Sequence, residues 1–281
     1  MSDRFRGRPF GMKRLLVASV AAALILSGCA SSTPASEPQG TEVAAAAKQA
    51  VDPEELIGIW QVTDAEGVGP QTFLRLGRGL ELANSCGGNL GDWEARDGRF
   101  IGSLLSSYEN CDETVGWLAR AAGYGHADDE LALFDADGEH LATLIPGGDS
   151  SGFMQGELTD LERSGVTFDN TAALPEGAEP VTDLVGKWVP VDNHHDLPVF
   201  LNFRDNGKWN GLACNSMEGR WSVGADGSIL ATSGISGLIA CVKQYPPAIT
   251  WLLDATAIGM VGDELTLYGT DGAVLGALVR A

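Results

Sequence analysis

Basic residues are scarce in this chain. It has 18 Lys and Arg against 38 Asp and Glu, so its formal net charge is −20 at pH 7. A surface of this sign repels the phosphates of nucleic acids and anionic lipid headgroups. We therefore exclude nucleic acid as a partner.

The hydrophobic stretch near the N-terminus is too short to span a membrane. The apolar stretch over residues 15–26 has 12 residues, whereas a spanning helix needs about 20. Basic side chains precede this stretch and small residues follow it, which is the pattern of a secretory signal peptide. We expect the signal to cover residues 1–28. Its removal leaves 13 basic and 37 acidic side chains, a formal charge of −24.

The end of this signal carries a motif. Leu26-Ser27-Gly28-Cys29 resembles the lipobox of bacterial lipoproteins. The resemblance implies that the Cys29 thiol receives a diacylglyceryl group and that cleavage then makes Cys29 the first residue. Two acyl chains anchor a protein stably, whereas one holds it only marginally. We expect a protein anchored on the extracytoplasmic face of the cell membrane, with residues 29–52 as a flexible tether because they are mostly small and polar.

Signals for catalysis or for a bound cofactor are missing. The sequence has no phosphate loop, nucleotide fingerprint or Gly-x-Ser-x-Gly. Zinc spacings are also absent, and the cluster His194-His195-Asp196 places neighbouring side chains on opposite faces of an extended chain. Asp135-Ala136-Asp137-Gly138 fits a hairpin turn better than a calcium loop, because it lacks the later ligands. We expect no metal, no cofactor and no catalytic residue.

The sequence repeats itself. Three residues recur 128 positions later: Trp60, Cys86 and Trp93 return as Trp188, Cys214 and Trp221. Further features recur 134 positions later: Trp117, Asp129-Glu130-Leu131 and Asp137-Gly138 return as Trp251, Asp263-Glu264-Leu265 and Asp271-Gly272. Two copies of one domain explain these matches. We place the first domain at residues 53–146, a linker at 147–180 and the second domain at 181–281.

Each copy has the pattern of a small β domain. Short alternating segments are separated by Asp-Gly or Asn-Gly turns, and one stretch of helical period precedes the last hairpin. The predicted fold class is mainly β: two tandem antiparallel curled sheets or partly open barrels, each with one packed helix. Trp60 and Trp188 are predicted to be core residues. Apolar side chains such as Phe153 and Leu158 favour packing of the linker against a domain.

Four cysteines remain once Cys29 is lipidated. An even number in an exported protein indicates disulfides. Three connectivities are possible, and the duplication selects the pairs Cys86–Cys111 and Cys214–Cys241, because each copy holds one early and one late cysteine. Free buried thiols and reactive cysteines stay open as alternatives.

A known family has this order of motifs. The second copy contains Ala213-Cys214-Asn215, Gly219-x-Trp221, Ala240-Cys241 and, after a helix, Asp263-Glu264-Leu265. This order resembles the META domain of HslJ-like lipoproteins. The first copy departs from the pattern, with Ser85-Cys86-Gly87 and Glu109-Asn110-Cys111 at the two cysteine positions. The resemblance implies a β-rich domain with one helix and an association with heat-inducible expression, envelope stress or motility, and no catalytic set transfers from it.

The leading functional hypothesis is a monomeric, lipid-anchored envelope protein that binds a protein or a small ligand and is not an enzyme. The alternatives are an extracytoplasmic enzyme, such as a hydrolase, with an unrecognised site, and a stress-protective lipoprotein without a specific ligand.

The lipobox leads to a direct prediction. Expression in the presence of a fatty-acid analogue should label the wild-type chain, and Cys29→Ala should abolish the label because the acceptor thiol is lost. Gel detection of the conjugated label measures both. Equal labelling of the two proteins would contradict the assignment of Cys29.

Overall fold

The computed structural model describes residues 51–85, 87–105, 112–148, 152–168, 171–181, 183–192, 198–234 and 247–281, with the side chains of 112–115 excepted. In these parts of the chain, no helix is long and apolar enough to cross a membrane.

The first repeat is a closed barrel of eight antiparallel strands that follow one another in chain order. The strands are β1 (Gly58–Thr63), β2 (Phe73–Leu76), β3 (Leu80–Asn84), β4 (Gly87–Arg96), β5 (Arg99–Leu104), β6 (Gly123–Ala127), β7 (Glu130–Phe134) and β8 (His140–Pro146). The barrel closes where β1 pairs with β8. A 3₁₀ turn (Pro53–Leu56) precedes it, and helix α1 (Asp112–Arg120) lies between β5 and β6.

The second repeat is an open sheet of nine strands, in the order β14-β13-β12-β11-β10-β17-β16-β15-β9. Its strands are β9 (Glu179–Pro180), β10 (Gly186–Pro190), β11 (Phe200–Phe203), β12 (Lys208–Leu212), β13 (Ser216–Val223), β14 (Ile229–Ala231), β15 (Ala257–Val261), β16 (Glu264–Tyr268) and β17 (Val274–Arg280). Helix α3 (Ala248–Asp254) lies between β14 and β15, and the single-turn helix α2 (Asp160–Arg163) precedes β9.

In both repeats the strand pairing is short where the helix interrupts the sheet. In the first repeat β5 and β6 pair only through Arg99 and Gly123. In the second repeat one isolated bridge joins Ser228 to Ala257. The prediction of a mainly β chain with one packed helix in each repeat is confirmed. The first repeat is a closed barrel and the second is an open sheet.

The repeated tryptophans belong to the two cores, as predicted. Trp60 is 9% exposed and Trp188 is 1% exposed. Each indole nitrogen donates to the backbone carbonyl four residues earlier, of Leu56 and Leu184 respectively, at 2.9 Å in both cases. Burial of an indole is favourable when its N–H finds such a partner, so the first strand of each repeat is fixed to the segment that leads into it.

The Asp-Gly dipeptides form the tight hairpins that the sequence indicates. Asp97 and Gly98 join β4 to β5 and have φ values of 52° and 76°. Two successive positive φ values define the type I′ turn, whose twist matches that of the flanking strands. The β4–β5 hairpin therefore closes with a two-residue turn, and it faces the second repeat.

The segment between the repeats packs against the first barrel over part of its length. Phe153 and Leu158 are buried. The segment covers two charged side chains on the outside of the barrel, Arg75 and Glu81, which are cross-strand partners with no exposed surface. Arg75 donates to Gln155 Oε1 at 2.9 Å, to two backbone carbonyls of the segment and to Glu162. Buried charges need such partners, so the barrel and this segment depend on each other.

The Arg75–Glu162 pair leads to a prediction about acid stability. The hydrogen bond from Arg75, with a smaller contribution from the Thr159 backbone, lowers the pKa of Glu162 from 4.5 to about 2. A depressed folded-state pKa gives stability that is present above pH 4.5 and is lost as pH falls towards 2. Urea unfolding across this range should therefore show a smaller loss of stability for Glu162→Gln than for the wild type.

Glu157→Gln is the matched control, because Glu157 lies exposed on the same segment. Its pH profile should follow the wild type. A Glu162→Gln profile with the wild-type slope between pH 4.5 and 2 would contradict this role of the ion pair.

Candidate functional site

The two repeats meet through equivalent strands, and the register of each hairpin identifies equivalent residues. Trp93 pairs with Gly102 in β4–β5, and Trp221 pairs with Ala231 in β13–β14. Asp92 and Arg220 directly precede these tryptophans, and Ser103 and Thr232 directly follow the partners of the tryptophans. Asp92 and Ser103 therefore correspond to Arg220 and Thr232. These four side chains lie on the outer faces of the hairpins, where the repeats come into contact.

Equivalent residues touch each other across this junction. Ser103 Oγ donates to Thr232 Oγ1 at 2.8 Å. Arg99 and Ser228, which also correspond, are joined by two hydrogen bonds of 3.1 and 2.5 Å to the Ser228 carbonyl and hydroxyl. Contact between equivalent residues is the property of an isologous interface, in which the same patch is used on both partners. The repeats of one chain thus pack as two subunits of a symmetric dimer would.

Two buried arginines cross the junction in opposite directions. Arg220 Nη1 donates to the carbonyls of Leu118 at 3.1 Å and Ala121 at 3.0 Å, at the C-terminal end of α1, and to that of Gly102 at 3.4 Å. A cation is favourable at this end of a helix, where the last carbonyls lack partners. Each repeat therefore reaches the segment after the helix of the other.

Arg96 makes the reciprocal contact. Its Nη1 donates to the carbonyls of Ile229 at 3.2 Å and of Thr256, just after α3, at 3.3 Å. Arg96 and Arg220 are 8% and 9% exposed, and the Nε of each is buried without a hydrogen-bond partner. Within the described residues, neither arginine forms an ion pair. Each of these guanidinium groups therefore has one N–H donor that no group in the described part of the chain accepts.

Burial shifts the proton affinities of the charged groups here. Desolvation lowers the pKa of Arg220 to about 10. It also lowers that of Arg99, and the negative charges of Asp226 and Asp97 oppose this shift. Burial alone would raise the pKa of Asp226, but hydrogen bonds from Ser228 and the charge of Arg99 outweigh it and lower that pKa. Arg220 therefore stays protonated at neutral pH.

A repeated glycine allows the two strands of each hairpin to approach each other closely. Gly91 and Gly219 each stand two residues before a repeated tryptophan, and a Cβ at either position would collide with the carbonyl of Ser103 or Thr232, respectively. Glycine inside a strand often marks such close backbone approach. The Gly-x-Trp pattern therefore positions the two hydroxyl side chains that meet at the junction.

A cavity of about 450 Å³ opens beside this junction. Both repeats and the intervening segment line it, and its polar lining residues include Glu94, Arg96, Thr167, Asp254, Thr256 and Asp271. Three of these carry carboxylates and one carries a guanidinium. The arrangement can donate and accept hydrogen bonds with a small polar molecule, and its charge favours amino and hydroxyl groups on that molecule.

Most of the predicted site residues lie outside the described residues. These are the lipidation site Cys29 and three of the cysteines assigned to disulfides, Cys86, Cys111 and Cys241. Cys214 is described and is disulfide-bonded. Its partner is not among the described residues, so the pairs Cys86–Cys111 and Cys214–Cys241 stay predictions.

The residues considered for metal binding fall into two groups. His194, His195 and Asp196 lie outside the described residues. Asp135 Oδ1 accepts the backbone N–H groups of Asp137 and Glu139 at 3.0 and 2.9 Å, which is the hairpin turn predicted from the sequence. The described part of the chain contains no group of three His, Cys, Asp or Glu side chains placed to hold an ion.

The residues that form the junction were not predicted from the sequence. Arg220 directly precedes a repeated tryptophan and stands where the first copy has Asp92. Asp92 also bonds across the junction, accepting the N–H and hydroxyl of Ser233 at 2.8 Å each. A conspicuous charge difference inside an otherwise repeated motif was the available signal.

Comparisons with protein-family models, with curated proteins and with solved structures find no match to this chain. The resemblance to the META domain stays a prediction.

Arg220 donates three hydrogen bonds across the junction, which leads to a stability prediction. Arg220→Met keeps the apolar bulk but leaves carbonyls at the end of α1 without a donor, and we expect a loss of about 2–4 kcal/mol in the free energy of unfolding. Chemical denaturation measures it. Arg120→Met is the control: Arg120 is the last residue of α1 and its ion pair with Glu66 is exposed, so its loss should cost less than about 1 kcal/mol. Similar losses in both variants would contradict the role of Arg220.

Proposed function

We propose that this chain is a lipid-anchored binding protein on the extracytoplasmic face of the cell membrane, that it has no catalytic activity, and that it binds a small polar ligand between its two repeats. The lipobox at Cys29 and the preceding signal support the anchor and its location. The cavity of about 450 Å³ at the junction of the repeats is the observation that carries the binding role.

The size and place of this cavity fit a ligand site. Binding pockets of about 300–1,000 Å³ are usual, and they occur preferentially where domains meet. The junction also fixes the walls of the cavity, because buried hydrogen bonds join β4 to β14 and to the segment after α3. A preformed site avoids the free-energy cost of ordering its walls on binding.

The lining indicates which ligand chemistry to test first. The side chains of Glu94, Asp254 and Asp271 are acceptors when ionised, and Arg96 is the basic residue among the lining residues. Polyamines and sugars present the complementary amino and hydroxyl groups. Long-range attraction from a mature chain with 13 basic and 37 acidic side chains, a net charge of −24, favours the polyamine further.

Obstruction of the cavity tests this assignment. Thr270 lines the cavity and lies exposed in the β16–β17 turn, so Thr270→Trp should fill the entrance without disturbing the fold. Saturation-transfer NMR with spermidine and with glucose should detect binding of at least one of them to the wild type and a weaker signal with the variant.

The repeat supplies a matched control. Ala136 occupies the equivalent exposed turn of the first repeat and does not line the cavity, so Ala136→Trp should bind as the wild type does. Lack of binding by both probes would contradict the ligand class, and equal binding by Thr270→Trp would contradict the site.

A further inference from the structure

A second, smaller cavity concentrates basic residues in this acidic protein. It measures about 150 Å³ and is lined by Arg204, Lys208 and Arg220, with Glu218 as the carboxylate among its lining residues. The whole chain has 18 basic residues against 38 acidic ones. From this composition a cavity is expected to have more acidic than basic side chains around it. This cavity has three basic side chains and one carboxylate among its lining residues.

The sheet register places two of these cations directly opposite each other. Lys208 of β12 pairs with Arg220 of β13, and like charges at such positions destabilise a sheet. In the described part of the chain, no carboxylate forms an ion pair with either of them. The arrangement costs stability in the free protein, and an anion in the cavity would offset that cost.

Arg220, which lines this cavity, has one donor without a partner. Its Nη1 is used by the three carbonyls of the first repeat. Its Nε is buried and has no hydrogen-bond partner, and the residue as a whole is only 9% exposed. A buried guanidinium without a carboxylate partner is an unusual and costly feature, and here it lies on the wall of a cavity.

The other two cations are placed to complete a site. Arg204 is held by a hydrogen bond of 3.0 Å from Nη2 to Asn210 Oδ1, and its backbone N–H donates to the Lys208 carbonyl at 2.9 Å. Lys208 is exposed and adds a flexible ammonium group. Guanidinium groups match the geometry of phosphate oxygens, and lysine contributes a point charge.

We propose that this cavity binds a phosphate-type oxyanion through Arg204, Lys208 and Arg220. Its volume equals that of about five water molecules at roughly 30 Å³ each, which suits a tetrahedral oxyanion with one or two waters. The anion is either free inorganic phosphate or the phosphomonoester of a lipid headgroup, which present the same oxygens. The two cavities share no lining residue. Failure of ligand binding in the larger cavity would therefore not count against this site.

Titration calorimetry of the full chain in detergent, at constant ionic strength, tests the site with two probes: inorganic phosphate and a short-chain phosphatidic acid. Binding of inorganic phosphate identifies the free ion as the source, and binding of phosphatidic acid alone identifies the headgroup. In either case Lys208→Gln and Arg204→Gln should each weaken binding about tenfold, because each removes one charge-assisted contact.

Lys187→Gln is the control for a general charge effect. Lys187 is exposed on β10 of the same sheet and does not line the cavity, so its removal should leave the affinity unchanged. Absence of binding by both probes would overturn the proposal. Equal weakening by Lys187→Gln and Lys208→Gln would also overturn it, since that result indicates attraction by net charge and not a site.

Discussion

The contact between equivalent strands of the two repeats is the constraint on which the rest of the molecule depends. Ser103 meets its counterpart Thr232 at 2.8 Å, and Arg220 binds the carbonyls at the end of α1. This packing determines where both cavities form, because each is bounded by residues that the junction holds in place. A chain with two loosely tethered domains would lack the larger cavity, whose lining comes from both repeats.

The junction also gives the scarce basic residues a role. Arg75, Arg96 and Arg220 are buried, and they hold together parts of the chain that are distant in sequence. Each donates to backbone carbonyls of another segment. Backbone carbonyls at helix ends and in turns need hydrogen-bond donors when they are buried. The acidic side chains of the surface thus favour solubility, and the buried arginines hold distant segments of the chain together.

The sequence predicted the fold well because its signals are local. Alternation of apolar and polar residues, the Asp97-Gly98 turn and the stretch of helical period before each last hairpin depend on neighbouring residues, so the mainly β class and the single packed helix per repeat followed from them. Whether each sheet continues across its helix depends on single residue pairs, Arg99 with Gly123 in the first repeat and Ser228 with Ala257 in the second, which no local pattern predicts.

The candidate sites could not be predicted from the sequence, and the reason is physical. They form where residues more than a hundred positions apart meet, as Arg96 meets Thr256. The duplication showed that two domains exist but not which faces they share. The presence of Arg220 where the first copy has Asp92, and the departure of the first copy from the cysteine motifs, indicated that the two copies differ.

The most direct measurement of the central claim is a covalent trap across the junction. The hydroxyl oxygens of Ser103 and Thr232 are 2.8 Å apart, so cysteines in their places are within reach of a disulfide. Non-reducing peptide mapping of the double variant Ser103→Cys/Thr232→Cys should recover a peptide that links positions 103 and 232. Recovery of both new thiols unlinked under oxidising conditions would contradict the packing of the repeats through equivalent strands.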